Sequence, residues 1–153
     1  ENIMFPLNMF TDKSDNEMLD RINFCLNRVN LEGKNKLMPS ELSGGMKKRV
    51  AIARAIVMQP KYLFCDEPNS GLDPKTAIVI DNLIREITQE YNITTIINTH
   101  DMNSAMEIGE NIIFIHKGEV CWEGCKEDII HSTNNELTNF VFASNLFKRL
   151  KRV

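Results

Sequence analysis

The stretch "LSGGMKKRVAIARAIVMQPKYLFCDEPNSGLDP" runs from Leu42 to Pro74, and its middle decides the fold class. An apolar run, Tyr62 to Cys65, ends in two carboxylates, Asp66 and Glu67. A short continuous apolar run of this kind predicts a strand buried in a parallel sheet. A helical pattern stands on either side of it. Ser43 to Met58 predicts one helix, stopped by Gln59-Pro60. Asp73-Pro74 predicts the start of the other, an N-cap followed by proline at the first helical position. That helix carries Ile78, Ile80, Leu83, Ile84 and Ile87.

Further along, "TTIIN" (Thr94 to Asn98) predicts a second buried strand, and Asp101 caps a short helix. Asn111 to Gly124 predicts two strands joined near Lys117-Gly118. Short helices are expected around Glu127–Ile130 and Asn135–Phe147. Upstream, Ser14 and Glu17 fit a capping box. Met18, Leu19, Ile22, Leu26 and Val29 follow at helical spacing, with Gly33 as the stop. Residues 1–13 read as an extended or irregular entry. Alternating helix and strand with one late hairpin argues for α/β with a mostly parallel sheet.

The bulk numbers fit one soluble domain with a real core. There are 153 residues, 42% hydrophobic and 25% charged. A net charge of −3 gives no global field that would favour nucleic acid. The four cysteines, Cys25, Cys65, Cys121 and Cys125, form no CxxC pair and no zinc spacing. Reduced thiols are the bland reading, with Cys65 a small core residue. No apolar run approaches the length that spans a bilayer, and no signal-peptide pattern is present. The chain opens at Glu1 without methionine, so an upstream portion is expected.

Four clusters carry chemistry. "FCDE" puts Asp66 and Glu67 at a strand's carboxyl end, where ligands of parallel sheets sit. One carboxylate there can hold Mg²⁺, and its neighbour can deprotonate a water. Taken alone, an acidic pair after a strand is more often a loop start. "LSGG" sets small residues ahead of a helix, whose free N–H groups and dipole suit an anion. For an isolated SGG, a helix cap and a turn would be the better reading. "SGLDP" is a turn plus a cap. A calcium loop fails there, because Pro68 and Ala77 occupy ligand positions. "NTHDM" puts His100 just past a strand, where it could sense a phosphate.

In this order, the four clusters resemble the ATP-binding cassette ATPases. The resemblance runs from about residue 38 to 124. It implies that Leu42 to Met46 are the signature motif, Tyr62 to Asp66 the Walker B strand, and Glu67 the catalytic glutamate. Ser70 to Asp73 match the D-loop, and His100 the switch histidine. The implied fold is a P-loop NTPase-like core with a helical signature subdomain. It is incomplete, because the family's P-loop and Q-loop precede the signature and no matching residues occur here. Residues 1–60 would form the helical subdomain, 61–124 a portion of the core, and 125–153 C-terminal helices.

The resemblance further implies ATP and Mg²⁺ as cofactors. Asp66 would hold the metal, and Glu67 and His100 would be catalytic. Ser43, Gly44, Gly45 and Asp73 would bind nucleotide. Family ATPases pair head to tail, so Ser43, Gly44 and Gly45 would grip the γ-phosphate of a second subunit's ATP. A transmembrane permease would hold the pair at the cytoplasmic face of the cell membrane. Asn69 stands where threonine is common, and Thr99 where serine is common. Met46, Lys47, Lys48 and Arg49 look closest to the phospholipid-trafficking branch, which works with lipid-binding partner proteins. Without the P-loop, the chain alone is expected to be nearly inactive. A rival reading is a naturally truncated, non-catalytic partner of another ATPase subunit, but retention of Asp66, Glu67 and His100 argues against it. The basic tail, Phe147 to Val153, reads as a solvated helix end.

Overall fold

Ile3 and Leu7 are buried four residues apart, and that spacing makes the start of the chain a helix. Helix α1 spans Met4–Phe10, where the sequence predicts an extended entry. Pro6 is tolerated in α1, because in a first helical turn its missing N–H costs nothing. The structure is a computed structural model that describes residues 1–142.

Helix α2, Asp15–Arg28, begins with the expected capping box. The Glu17 carboxylate accepts from the Ser14 N–H at 2.8 Å, and the Ser14 hydroxyl accepts from the Glu17 N–H at 3.5 Å. The helix ends before Gly33. Asn30 turns the chain at φ 55°, and Gly33 turns it again at φ 70° in the loop beyond. Asparagine tolerates this left-handed region better than most residues.

Helix α3, Gly44–Ile56, buries Ile52, Ala53 and Ile56. Arg21 of α2 donates to the carbonyls of Ile56 and Val57, each at 2.9 Å. A cation thus satisfies the open end of α3, where it also suits the dipole.

Strand β1, Tyr62–Asp66, leads into helix α4, Pro74–Tyr91, and on to strand β2, Thr94–Asn98. The strands pair in parallel, with Tyr62 opposite Thr94 and Asp66 opposite Asn98. Helix α4 buries Ile80, Leu83, Ile84 and Ile87, the i, i+3, i+4, i+7 stripe of an amphipathic helix. Leu63 and Cys65 join the same core, and burial pushes the Cys65 thiol up. The other sheet face is open: Tyr62 is 62% exposed, Phe64 72% and Ile96 54%. The sequence predicts both strands as buried. The helices of this unit cover one face only.

That unit spans residues 1–99, and a second compact unit starts at His100. In it, helix α5, Met102–Ile108, is capped by Asp101. Strands β3, Ile112–His116, and β4, Glu119–Gly124, form an antiparallel hairpin. Lys117 and Gly118 turn it at φ 53° and 82°, as two-residue hairpin turns require. Helices α6, Lys126–His131, and α7, Asn135–Val141, bury Ile129, Leu137 and Val141 near Phe114 and Trp122. Helix α7 covers the first part of the helix expected over Asn135–Phe147; residues 143–147 of that expectation, and the basic tail, lie outside the described residues. The fold is α/β, with a parallel pair in one unit and an antiparallel pair in the other.

Candidate functional site

Two parallel strands end side by side, and the acidic pair stands at that end. The Asn98 amide donates to Asp66 Oδ1 at 2.7 Å, which orients the exposed carboxylate. The Glu67 N–H donates to the Asn98 carbonyl at 2.8 Å, carrying the ladder one residue past the strand. There the chain turns. Glu67 has φ 46°, unusual for a residue with a side chain. Such backbone costs about 1–3 kcal/mol, and it persists only where the surroundings hold it.

Several contacts hold it. The Glu67 carbonyl accepts from Lys48 Nζ at 2.9 Å and from the Ser70 N–H at 3.2 Å. Lys48 also donates to the Ser70 hydroxyl at 3.3 Å. Asn69 turns inward, 6% exposed, and donates to both oxygens of buried Asp81 at 3.3 and 3.4 Å. Gly71, at φ 75° with open space around it, supplies the conformation that completes the turn.

Asp73 then caps α4. Its Oδ1 accepts from the N–H groups of Lys75 and Thr76, each at 3.1 Å. The Thr76 hydroxyl donates to its Oδ2 at 2.5 Å. The Thr76 contacts, hydroxyl first, hold the Asp73 carboxyl below its ordinary value. A lowered folded-state pKa adds stability above the ordinary aspartate value, and that stability is lost as pH falls through the lowered one. We expect Asp73→Asn to keep the cap but remove this acid-dependent part. Urea midpoints between about pH 5 and pH 2 should then fall less steeply than in wild type. Parallel curves would show that Asp73 contributes nothing to acid unfolding.

Ser43 is the N-cap of α3, its hydroxyl accepting from the Met46 N–H at 3.3 Å. Gly44 is exposed and Gly45 buried. A Cβ on Gly45 would lie 2.6 Å from Thr76 Cγ2. This glycine therefore serves close approach between α3 and α4, not an unusual φ. The first N–H groups of α3 have no partner within the helix, as at any helix start, so they suit an anion.

Six of the residues read from sequence, Ser43, Gly44, Gly45, Asp66, Glu67 and Asp73, belong to the first unit. His100 is exposed and opens the second, just before the α5 cap. Among the described residues, no group of three His, Cys, Asp or Glu side chains forms a metal cage. One exposed carboxylate, Asp66, is still a fit for magnesium, which commonly shares one or two carboxylates with phosphates and water. Sequence reading missed the roles of Lys48, Asn69 and Asp81. Spacing could have found the first, since Lys48 lies three and four residues from Gly45 and Gly44, on the same helix face.

Comparisons with known proteins bear on this arrangement. The family described as ABC transporter matches residues 3–70. Methionine import ATP-binding protein MetN 2 of Bacillus cereus is 40% identical over 141 residues, covering 92% of this chain. The chain is homologous to ABC transporter ATPase domains. MetN of Desulfitobacterium hafniense is 38% identical over 156 residues, 99% of this chain. Among solved structures, the dimeric ATP-binding cassette MJ0796 in a post-hydrolysis state bound to ADP and Pi has a TM-score of 0.70 at 35% identity. That match covers 81% of this chain and 54% of the cassette. The ATPase-domain homologue spans 41% and 46% of the lengths of the two MetN relatives. These relatives are named for methionine import. They give no support to the phospholipid-trafficking branch expected from Met46, Lys47, Lys48 and Arg49. No helix among the described residues is long and apolar enough to cross a membrane.

Proposed function

We propose that this chain supplies the signature helix, the Walker B strand end and the switch histidine of the ATP-hydrolysing subunit of an ABC transporter. The observation that carries the reading is the acidic strand end, Asp66 and Glu67, tied by Lys48 to the helix that starts at Ser43-Gly44-Gly45. In this reading, Glu67 accepts the proton of the attacking water. Asp66 holds Mg²⁺, which neutralises phosphate charge when bound. Ser43, Gly44 and Gly45 donate to the γ-phosphate of ATP held by a second ATPase subunit. Asp73 contributes to nucleotide binding from the D-loop, and His100 senses the γ-phosphate. Residues 1–60 serve as the signature subdomain, 61–124 as core and 125–153 as a C-terminal addition. A transmembrane permease anchors the pair at the cytoplasmic face of the membrane.

Kinship is the guide to the cargo. The names of the relatives put methionine first. The Met46-Lys47-Lys48-Arg49 run keeps lipid, with its lipid-binding partner proteins, as the second reading. The test uses the whole protein with its permease in vesicles. MgATP hydrolysis with uptake of labelled methionine is the expected result. Hydrolysis coupled to movement of labelled phospholipid instead would overturn the cargo reading and keep the ATPase. No hydrolysis by the whole protein would favour the non-catalytic partner.

A further inference from the structure

Lys48 joins two parts of the candidate site that are distant in sequence. It lies on α3, one turn past Gly44 and Gly45, and is half-buried. Its ammonium donates to the Glu67 carbonyl at 2.9 Å and to the Ser70 hydroxyl at 3.3 Å. A lysine on a helix surface usually points its charge into water and orders nothing. This one reaches a backbone oxygen nineteen positions along the chain.

The residue it reaches is the significant one. Among the described residues, five with side chains have positive φ: Asn30, Gln59, Glu67, Asn92 and Lys117. The asparagines tolerate this region, and Lys117 sits in a hairpin turn that demands it. Glu67 is the candidate general base, and its strained backbone turns its carbonyl toward α3. A bond from a charged donor is roughly twice as strong as one between neutral groups. Lys48 therefore fixes the backbone from which the Glu67 side chain departs.

We infer that Lys48 is a positioning residue: it holds Glu67 in its left-handed turn and so transmits the placement of the signature helix to the general base. The inference rests on the reading of Glu67 given above. Misplacing a reacting group by about 1 Å can cost roughly 10²-fold in rate, so loosening this anchor should be felt in turnover. Binding of MgATP should not change, because Lys48 is not assigned a contact with nucleotide.

Two measurements test it. In the whole protein, Lys48→Met keeps the aliphatic stem and removes the charge. Its kcat should fall by about tenfold or more, with KM for MgATP within about twofold. Lys48→Arg, which keeps a donor, should recover a clear part of the loss. In the chain described here, amide exchange needs no activity. In Lys48→Met, the Ser70 amide, bonded to the Glu67 carbonyl, should exchange at least about tenfold faster. The amides of Ile84 and Ile87 in α4 should keep their protection. Wild-type kcat in Lys48→Met, or an unchanged Ser70 amide, overturns the inference. Equal loss of protection in α4 would mean general destabilisation and also overturns it. If the wild-type whole protein hydrolyses no ATP, the proposed function fails first, and the role of Lys48 falls with it.

Discussion

Glu67→Gln in the whole protein should lower ATP turnover by about 10²–10⁴-fold, the range lost with a general base. Glutamine has the shape of glutamate and can still accept a hydrogen bond, but it cannot take a proton at neutral pH. The backbone contacts at this position do not depend on the carboxylate. The N–H still reaches the Asn98 carbonyl, and the carbonyl still receives Lys48 and Ser70. The strained φ is held as before. The loss should therefore appear in the chemical step and leave MgATP binding intact. Phosphate release in a single turnover, measured beside retained ATP, separates the two. Turnover at the wild-type rate would remove Glu67 from the role of base. Weakened binding with an unchanged chemical step would instead make it a ligand.

How far the sequence carried this reading depends on what each signal measured. The α4 start was legible because Asp73-Pro74 is a local device: a carboxylate cap plus a ring that pre-sets φ. The Lys117-Gly118 turn was legible for a similar reason. Helix α1 was not, because its formation depends on burying Ile3 and Leu7, and burial is set by the rest of the fold. Both strands were found, but their open face was not. An apolar run reports what a strand can bury and is silent about what covers it. The site divides the same way. Asp66 and Glu67 follow from the strand's end. The Asn69–Asp81 pair joins residues twelve apart through the interior, where no local pattern points. Ser43 shows that one residue can carry both readings: it caps α3 here, whatever the first helical N–H groups later bind. The order of the motifs, more than any one of them, carried the family resemblance.

The chain of 153 residues should self-associate at micromolar concentration. Phe64 and Ile96 stand directly opposite each other in the parallel pair, and both are exposed. Tyr62 extends the same face. Contiguous apolar surface of this kind drives association. Among the described residues, each strand of the pair has one partner, so each leaves a backbone edge able to pair. Magnitudes set the strength. Covering one such side chain gives at most about 1.5–3 kcal/mol. Phe64 and Ile96 from two copies give roughly 6–12 kcal/mol, against an association cost of about 4–15 kcal/mol. The balance is close, so the complex should be weak and concentration-dependent. Light scattering should show the apparent mass rising toward at least twice the monomer value across the micromolar range. Phe64→Lys with Ile96→Glu should restore the monomer. It places opposite charges across the strands, which the pairing tolerates, on a face whose side chains contribute little to the core. A wild-type monomer at tens of micromolar would show that this face is stable in water. A double variant that still associates would move the contact to another surface.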